Sequence, residues 1–163
     1  MAKIGLLALV LSFLCITPAV AAVSDARQAC IRTAISDGAA ARGSSAQLSR
    51  LFNQYFDGER IARAAAGNDW KKYSPAQKDA QRRRVKSLVI SEIAPRLSAY
   101  QPAGIQFLSE SGSKVRGKMT AKDGTSATVT WHFAGEACRF VNIAVEGFGS
   151  IISYVGREPS RKN

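Results

Sequence analysis

Thr128-Val129-Thr130-Trp131-His132-Phe133 alternates strictly between polar and apolar residues. Side chains on a strand point to opposite faces in turn, so Val129, Trp131 and Phe133 share one face and Thr128, Thr130 and His132 the other. After a turn at Gly135-Glu136, Phe140 to Glu146 reads as a further strand, with Val141, Ile143 and Val145 on one face. Two such strands each present a wholly apolar face, and a face of that kind has to be covered by another layer.

The first half of the chain offers the cover. Ser24-Asp25 can cap a helix running to about Asp37, with Gly38 suited to its end. Ala39 to Ser45 reads as a loop. Ser44 or Ser45 then starts a second helix, in which Leu48, Leu51, Phe52, Tyr55 and Phe56 form one apolar face. Asp57 opens a short third helix containing Ile61, Ala62, Ala65 and Ala66, and Gly67 ends it. Ser74-Pro75-Ala76-Gln77 starts a fourth: serine as N-cap, proline at the first helical position and glutamine at the third. Val85, Leu88, Val89, Ile93 and Leu97 make its buried stripe, and Pro95 should kink or interrupt it. Ile105 to Leu108 is a short strand. Lys114 to Met119 alternates weakly and suits an exposed strand. Asp123-Gly124 signals a hairpin turn. Helices followed by strands on tight turns predict an α+β domain: helices packed on one face of an antiparallel sheet.

The chain begins with Lys3, an apolar run from Ile4 to Ile16, and then Pro18 and four small residues, Ala19 to Ala22. That order of charge, apolar stretch and small-residue site predicts a cleavable secretory leader over residues 1–22. The run is shorter than the roughly 20 apolar residues that span a bilayer. Residues 23–163 then make one domain working in the periplasm of a Gram-negative-type cell. Cys30 and Cys138 remain after cleavage, either as a disulfide suited to an oxidising compartment or as two buried thiols. The formal charge of +11 draws polyanions, and export favours anionic lipid over nucleic acid; it also serves solubility. The basic residues are scattered except for Arg82, Arg83, Arg84 and Lys86.

Catalytic signatures are missing from the sequence. There is no nucleophile elbow, Walker loop, dinucleotide fingerprint or metal-spaced His/Cys set, and the two thiols lack C-x-x-C spacing. The one histidine, His132, falls on the polar strand face without a suggested acid–base partner. The reading is therefore of a non-enzymatic protein with no cofactor and no metal.

Three blocks carry a family resemblance. Phe56-Asp57, Ile61-Ala62-Arg63-Ala64-Ala65, Gly67, Trp70 and Ser74-Pro75-Ala76-Gln77 form the first. Ile93-Ala94-Pro95-Arg96-Leu97-Ser98-Ala99-Tyr100 is the second. Val141 to Gly147, with Ser150, Ile151 and Tyr154, is the third. In this order and spacing they resemble the MlaC family of periplasmic phospholipid-binding proteins, auxiliary components of an ABC transport system. The chain departs from the family pattern at Asn142, usually Asp, and at Val155, usually Arg. It ends in Pro159-Ser160-Arg161-Lys162-Asn163, where the family continues with a helix.

The resemblance implies an NTF2-like or cystatin-like sheet wrapped by helices, with acyl chains in an apolar cavity between. The sheet wall would be Val129, Trp131, Phe133, Val141, Ile143 and Val145, and the helical wall Phe52, Phe56, Ile61, Leu88, Val89 and Ile93. Without a cavity the same residues are a packed core. Arg63 and Arg96 are the headgroup candidates, since arginine matches phosphate with paired donors. The implied function is a shuttle for phospholipid, or a related lipid such as a hopanoid, between the membranes. Its implied partners are an inner-membrane ABC transporter complex and an outer-membrane lipoprotein complex. The alternative is an envelope adaptor on the same scaffold without lipid cargo.

Overall fold

The structure is a computed structural model that describes residues 22–41, 43–93 and 100–157, with only the backbone of residues 93, 100–103 and 157. Apart from Ala22, the predicted leader lies outside the described residues, as do Pro95, Arg96 and Leu97.

Four helices precede the sheet: α1 (Asp25–Ala40), α2 (Ser45–Tyr55), α3 (Gly58–Ala66) and α4 (Pro75–Leu88). Their starts follow the local chemistry. The Ser44 hydroxyl accepts from the Gln47 amide, and the Asp57 carboxylate accepts from the Arg60 amide. Ser74 and Gln77 form a reciprocal capping box ahead of α4, with Pro75 in its first turn. Gly67, at φ 56°, lets the chain leave α3 and enter a 3₁₀ turn over Gly67–Lys72. That turn buries Trp70.

The helix α1 differs from the expectation that Gly38 ends it. It continues to Ala40, and Gly38 lies inside it. Glycine inside a helix costs about 1 kcal/mol against alanine, so the local signal pointed to an end that packing overrides. The winding of α4 also changes character. After Leu88 it widens into a π-helical turn over Val89–Ile93, directly upstream of Pro95 in the sequence.

The sheet has five antiparallel strands in sequence order: β1 (Tyr100–Ser111), β2 (Lys114–Ala121), β3 (Ser126–Phe133), β4 (Phe140–Val145) and β5 (Gly149–Ser150). A short helix, α5 (Ile151–Arg157), follows and packs against α3 and β4. The architecture is α+β, with helices against a curved antiparallel sheet.

Two expectations about the sheet are corrected. β2 is not an exposed strand: Val115, Gly117 and Met119 are buried on the same face, beside the inner residues of β3. Gly117 adds no apolar signal at its position, which weakened the alternation. In β4, a register shift after His132 places Phe133 opposite Phe140, while His132 faces Asn142. Val141 is the extra residue of that bulge and is only half-buried. Phe140, 2% exposed, occupies the inner position expected for Val141.

The core lies between the layers. Ile31 and Ile35 of α1 and Ile61 of α3 meet Val115, Met119, Val129, Trp131 and Phe140 of the sheet. A disulfide joins Cys30 of α1 to Cys138 in the β3–β4 connection, with 5.6 Å between Cα atoms. At the same end Arg27, 7% exposed, pairs with Glu110 at 2.9 Å and lies over the Phe133 ring. The α2–α3 junction is pinned to β4 as well: the Asp57 amide donates to the Phe140 carbonyl, and Arg139 donates to the Phe56 carbonyl.

Candidate functional site

Between α1, α2, the π turn and the sheet the layers do not close. The gap is apolar and partly open. Its cavity volume is about 80 Å³.

Each wall has a local origin. Helix α2 presents Leu48, Leu51, Phe52 and Tyr55, spaced to share one helical face, and Phe56 follows at its end. Phe52 and Phe56 stack with their centroids 5.3 Å apart, and Phe140 meets Phe56 edge-on at 5.7 Å. The sheet contributes Trp131, Phe140 and Ile143. Trp131 reaches the gap across Gly117: a Cβ built there would lie 3.0 Å from its ring and 3.0 Å from the Gln106 carbonyl oxygen. Val89 and Ile90 come from the π turn. Such turns recur at functional positions because they re-aim side chains within a helix.

The fourth wall, α1, was missed in the sequence. Ile31, Ala34, Ile35 and Gly38 fall at i, i+3, i+4 and i+7, and Ala39 adjoins them. The stripe is legible, but its residues are mostly small, so it reads weakly as apolar. Small residues are also what leaves the room: around a Cβ at Gly38 nothing lies within 4 Å.

The proposed lining residues divide accordingly. Phe52, Phe56, Val89, Trp131 and Ile143 line the gap. Ile61, Val129 and Phe133 are buried in the packed core away from it, with Leu88 and Val145 partly buried against that core. Val141 stands on the bulge, and the side chain of Ile93 lies outside the described residues. Of the headgroup candidates, Arg63 is on the exposed side of α3, 3.5 Å from Glu59 and 6.0 Å from the Trp70 ring, and does not line the gap. Arg82 of the basic cluster pairs with Asp79 and Glu59 on the outside of α4.

Among the described residues, Tyr55 brings the one side-chain hydroxyl to the gap's lining. The Tyr55 ring forms part of its wall, and the Tyr55 hydroxyl donates to Asp37 Oδ2 at 2.6 Å. Burial, reinforced by that bond and by the Asp37 charge, pushes the phenol up to about 12, so it stays a donor. His132 is on the outer sheet face opposite Asn142 and Lys114; burial and then the Lys114 charge lower its pKa. Among the described residues no three His, Cys, Asp or Glu side chains gather into a metal site. The gap can hold apolar matter, and among the described residues its lining holds no serine, threonine, cysteine or lysine.

A family model described as MlaC protein matches residues 22–156. Among solved structures, the chain is similar to a phospholipid-binding protein from Ralstonia solanacearum, determined in complex with a phospholipid. The two share 20% identity with a TM-score of 0.58, over 80% of this chain and 83% of the other. No curated protein sequence matches.

Proposed function

The chain belongs to the MlaC family, and from that premise we propose that it is a periplasmic carrier of phospholipid or a related membrane lipid. In this reading it moves lipid between the inner and outer membranes as part of an ABC transport system. It meets an inner-membrane transporter complex at one end of its path and an outer-membrane lipoprotein complex at the other. The observation that carries the reading is the apolar gap between α1, α2 and the sheet. The phospholipid bound by the Ralstonia protein of similar fold supports it.

The energetics explain why a carrier is needed and why it needs no catalytic group. Two acyl chains hold roughly 30 methylenes, and each costs about 0.8 kcal/mol to expose to water. The total of more than about 20 kcal/mol forbids unaided passage. A gap lined by Phe52, Trp131 and Ile143 replaces the bilayer as solvent for the chains. Loading is then a partition between two apolar phases, with no bond made or broken. The gap as it stands is narrow. Thirty methylenes, each near the roughly 30 Å³ share of a water molecule, need about 900 Å³. In this reading loading widens the gap.

The test is native mass spectrometry of the mature protein with lipid extraction from the same sample. The carrier shows a bound membrane lipid. Gly38→Phe fills the mouth from a position with open space around it, so that variant should fold and lose most of its lipid. A folded wild-type protein that carries no lipid and takes none from vesicles overturns the reading. That outcome favours the adaptor.

A further inference from the structure

A stripe of cations runs along the outside of α4 towards the rim of the apolar gap. Lys78, Arg82 and Lys86 stand at i, i+4 and i+8 and so share one side of the helix. Contacts with neighbouring elements make that side one surface with α3 and α2. The Lys78 ammonium lies 5.7 Å from the centroid of the Trp70 ring, which also carries Arg63 at 6.0 Å. Arg82 reaches Glu59 of α3, which Arg63 shares. Lys86 donates to Asn53 of α2 at 3.1 Å, one residue from Phe52 of the gap. One turn further along, Val89 and Ile90 line the gap itself.

We propose that this α3–α4 face docks the protein on an anionic phospholipid bilayer, with the mouth of the gap beside the contact. The inference rests on the carrier reading and adds to it the surface by which the carrier approaches a membrane.

Charge, and the absence of an apolar anchor among the described residues of this face, select the partner. Residues 57–93 hold nine Lys and Arg against five Asp and Glu. Four of those carboxylates, Asp57, Glu59, Asp69 and Asp79, already pair with cations of the same segment. The adjoining helix α2 adds Arg50 and no carboxylate. Arg42, Arg96, Glu158, Arg161 and Lys162 lie outside the described residues and add four cations to one acidic side chain. A protein interface centres on aromatic and apolar anchors and thins out its charges. The large apolar side chains exposed among the described residues are Leu108, Phe148 and Tyr154, none of them in this segment. An anionic bilayer asks for no anchor, because lysines and arginines are drawn to it by charge alone. Helix α4 keeps its apolar side for the core, where Val85 is fully buried, so the face rests on headgroups rather than sinking among acyl chains. Docking there sets the π turn and the α2 rim of the gap next to the bilayer that would fill it.

The experiment is flotation of the mature protein with vesicles of phosphatidylcholine alone, and with vesicles of equal parts phosphatidylcholine and phosphatidylglycerol. Lipid extracted from the protein fraction reports carriage separately. Wild type should float with the charged vesicles at low salt, not with the neutral ones, and should be released as salt screens the contact. Each Lys or Arg near an anionic surface is worth about a factor of five in affinity, so Lys78→Gln, Arg82→Gln and Lys86→Gln together should weaken binding about ten- to hundred-fold. The control removes equal charge elsewhere. Lys114, Arg116 and Lys118 alternate with buried residues of β2 and lie on the outer sheet face; Lys114→Gln, Arg116→Gln and Lys118→Gln together should change binding by less than about two-fold, since salt screens distant charges. Cooperative melts establish that both variants fold; should either not, wild type and its salt dependence decide. Equal weakening by the two triple variants makes net charge the cause and overturns the face. Wild type that floats equally with neutral vesicles, or with neither kind at low salt, overturns it too, and the second result turns the search to an acidic protein. Extracted lipid in any of these cases leaves the carrier standing. Wild type that neither floats nor carries lipid overturns both.

Discussion

Gly117 is needed for what it lacks. With a Cβ 3.0 Å from both the Trp131 ring and a backbone oxygen of β1, alanine there must push Trp131 or open the β1–β2 pair. Gly117→Ala should cost about 1–3 kcal/mol in a urea melt and shift the Trp131 emission. A second residue effect depends on pH. The Ser24 amide donates to Glu110 at 2.7 Å, and with the Arg27 charge nearby it holds the Glu110 carboxyl below its ordinary value of 4.5. A carboxyl whose folded pKa is depressed contributes stability above its unfolded pKa and loses it as pH falls through the folded value. Wild type should therefore lose stability on acidification below about pH 5, and Glu110→Gln should flatten that part of the profile in pH-dependent melts. Neither contact was legible in the sequence. Gly117 looked like an interruption of an exposed strand, and Ser24 like a side-chain cap, although its side chain makes no cap bond.

At the scale of elements, legibility followed whether the signal was local. The start of α4 was readable because Ser74, Pro75 and Gln77 act within one turn. Ser74→Ala removes the capping hydroxyl and should cost about 1 kcal/mol, checked by thermal melting. The inner face of β3 was readable because one strand carries the whole alternation. What failed depended on neighbours. Val141 and Phe140 exchange roles because β4 bulges against β3, a property of the pair and not of either strand. The end of α1 was misplaced because Gly38 obeys the packing of a helix beside a gap rather than its own preference for an end. Strand β1 is longer than Ile105 to Leu108 because pairing with β2 extends it on both sides.

For the whole molecule, the architecture was legible, while the division between lining and solid core was not. Trp131 and Val129 both point inward from β3, but only Trp131 reaches the gap, because α1 and α2 part above it and not above Val129. That distinction depends on where helices stand, which no single segment encodes. The disulfide acts at this scale too. It closes a separation of 108 residues between Cys30 and Cys138, worth about 4–5 kcal/mol in the chain-entropy model. Reduction should lower the melting temperature by roughly 10 °C or more, measured with and without dithiothreitol.

The same bond sets an order of events during synthesis. Cys30 is made early and Cys138 late, and no other cysteine lies between or after them. With the proposed leader and its Cys15 removed, the chain has one possible internal pairing, so an oxidase suffices and no isomerase has anything to correct. The early thiol instead waits, unpaired, for nearly the whole domain to arrive. During that interval its available partners are thiols of other chains, so crowding of nascent molecules would yield linked dimers rather than scrambled monomers.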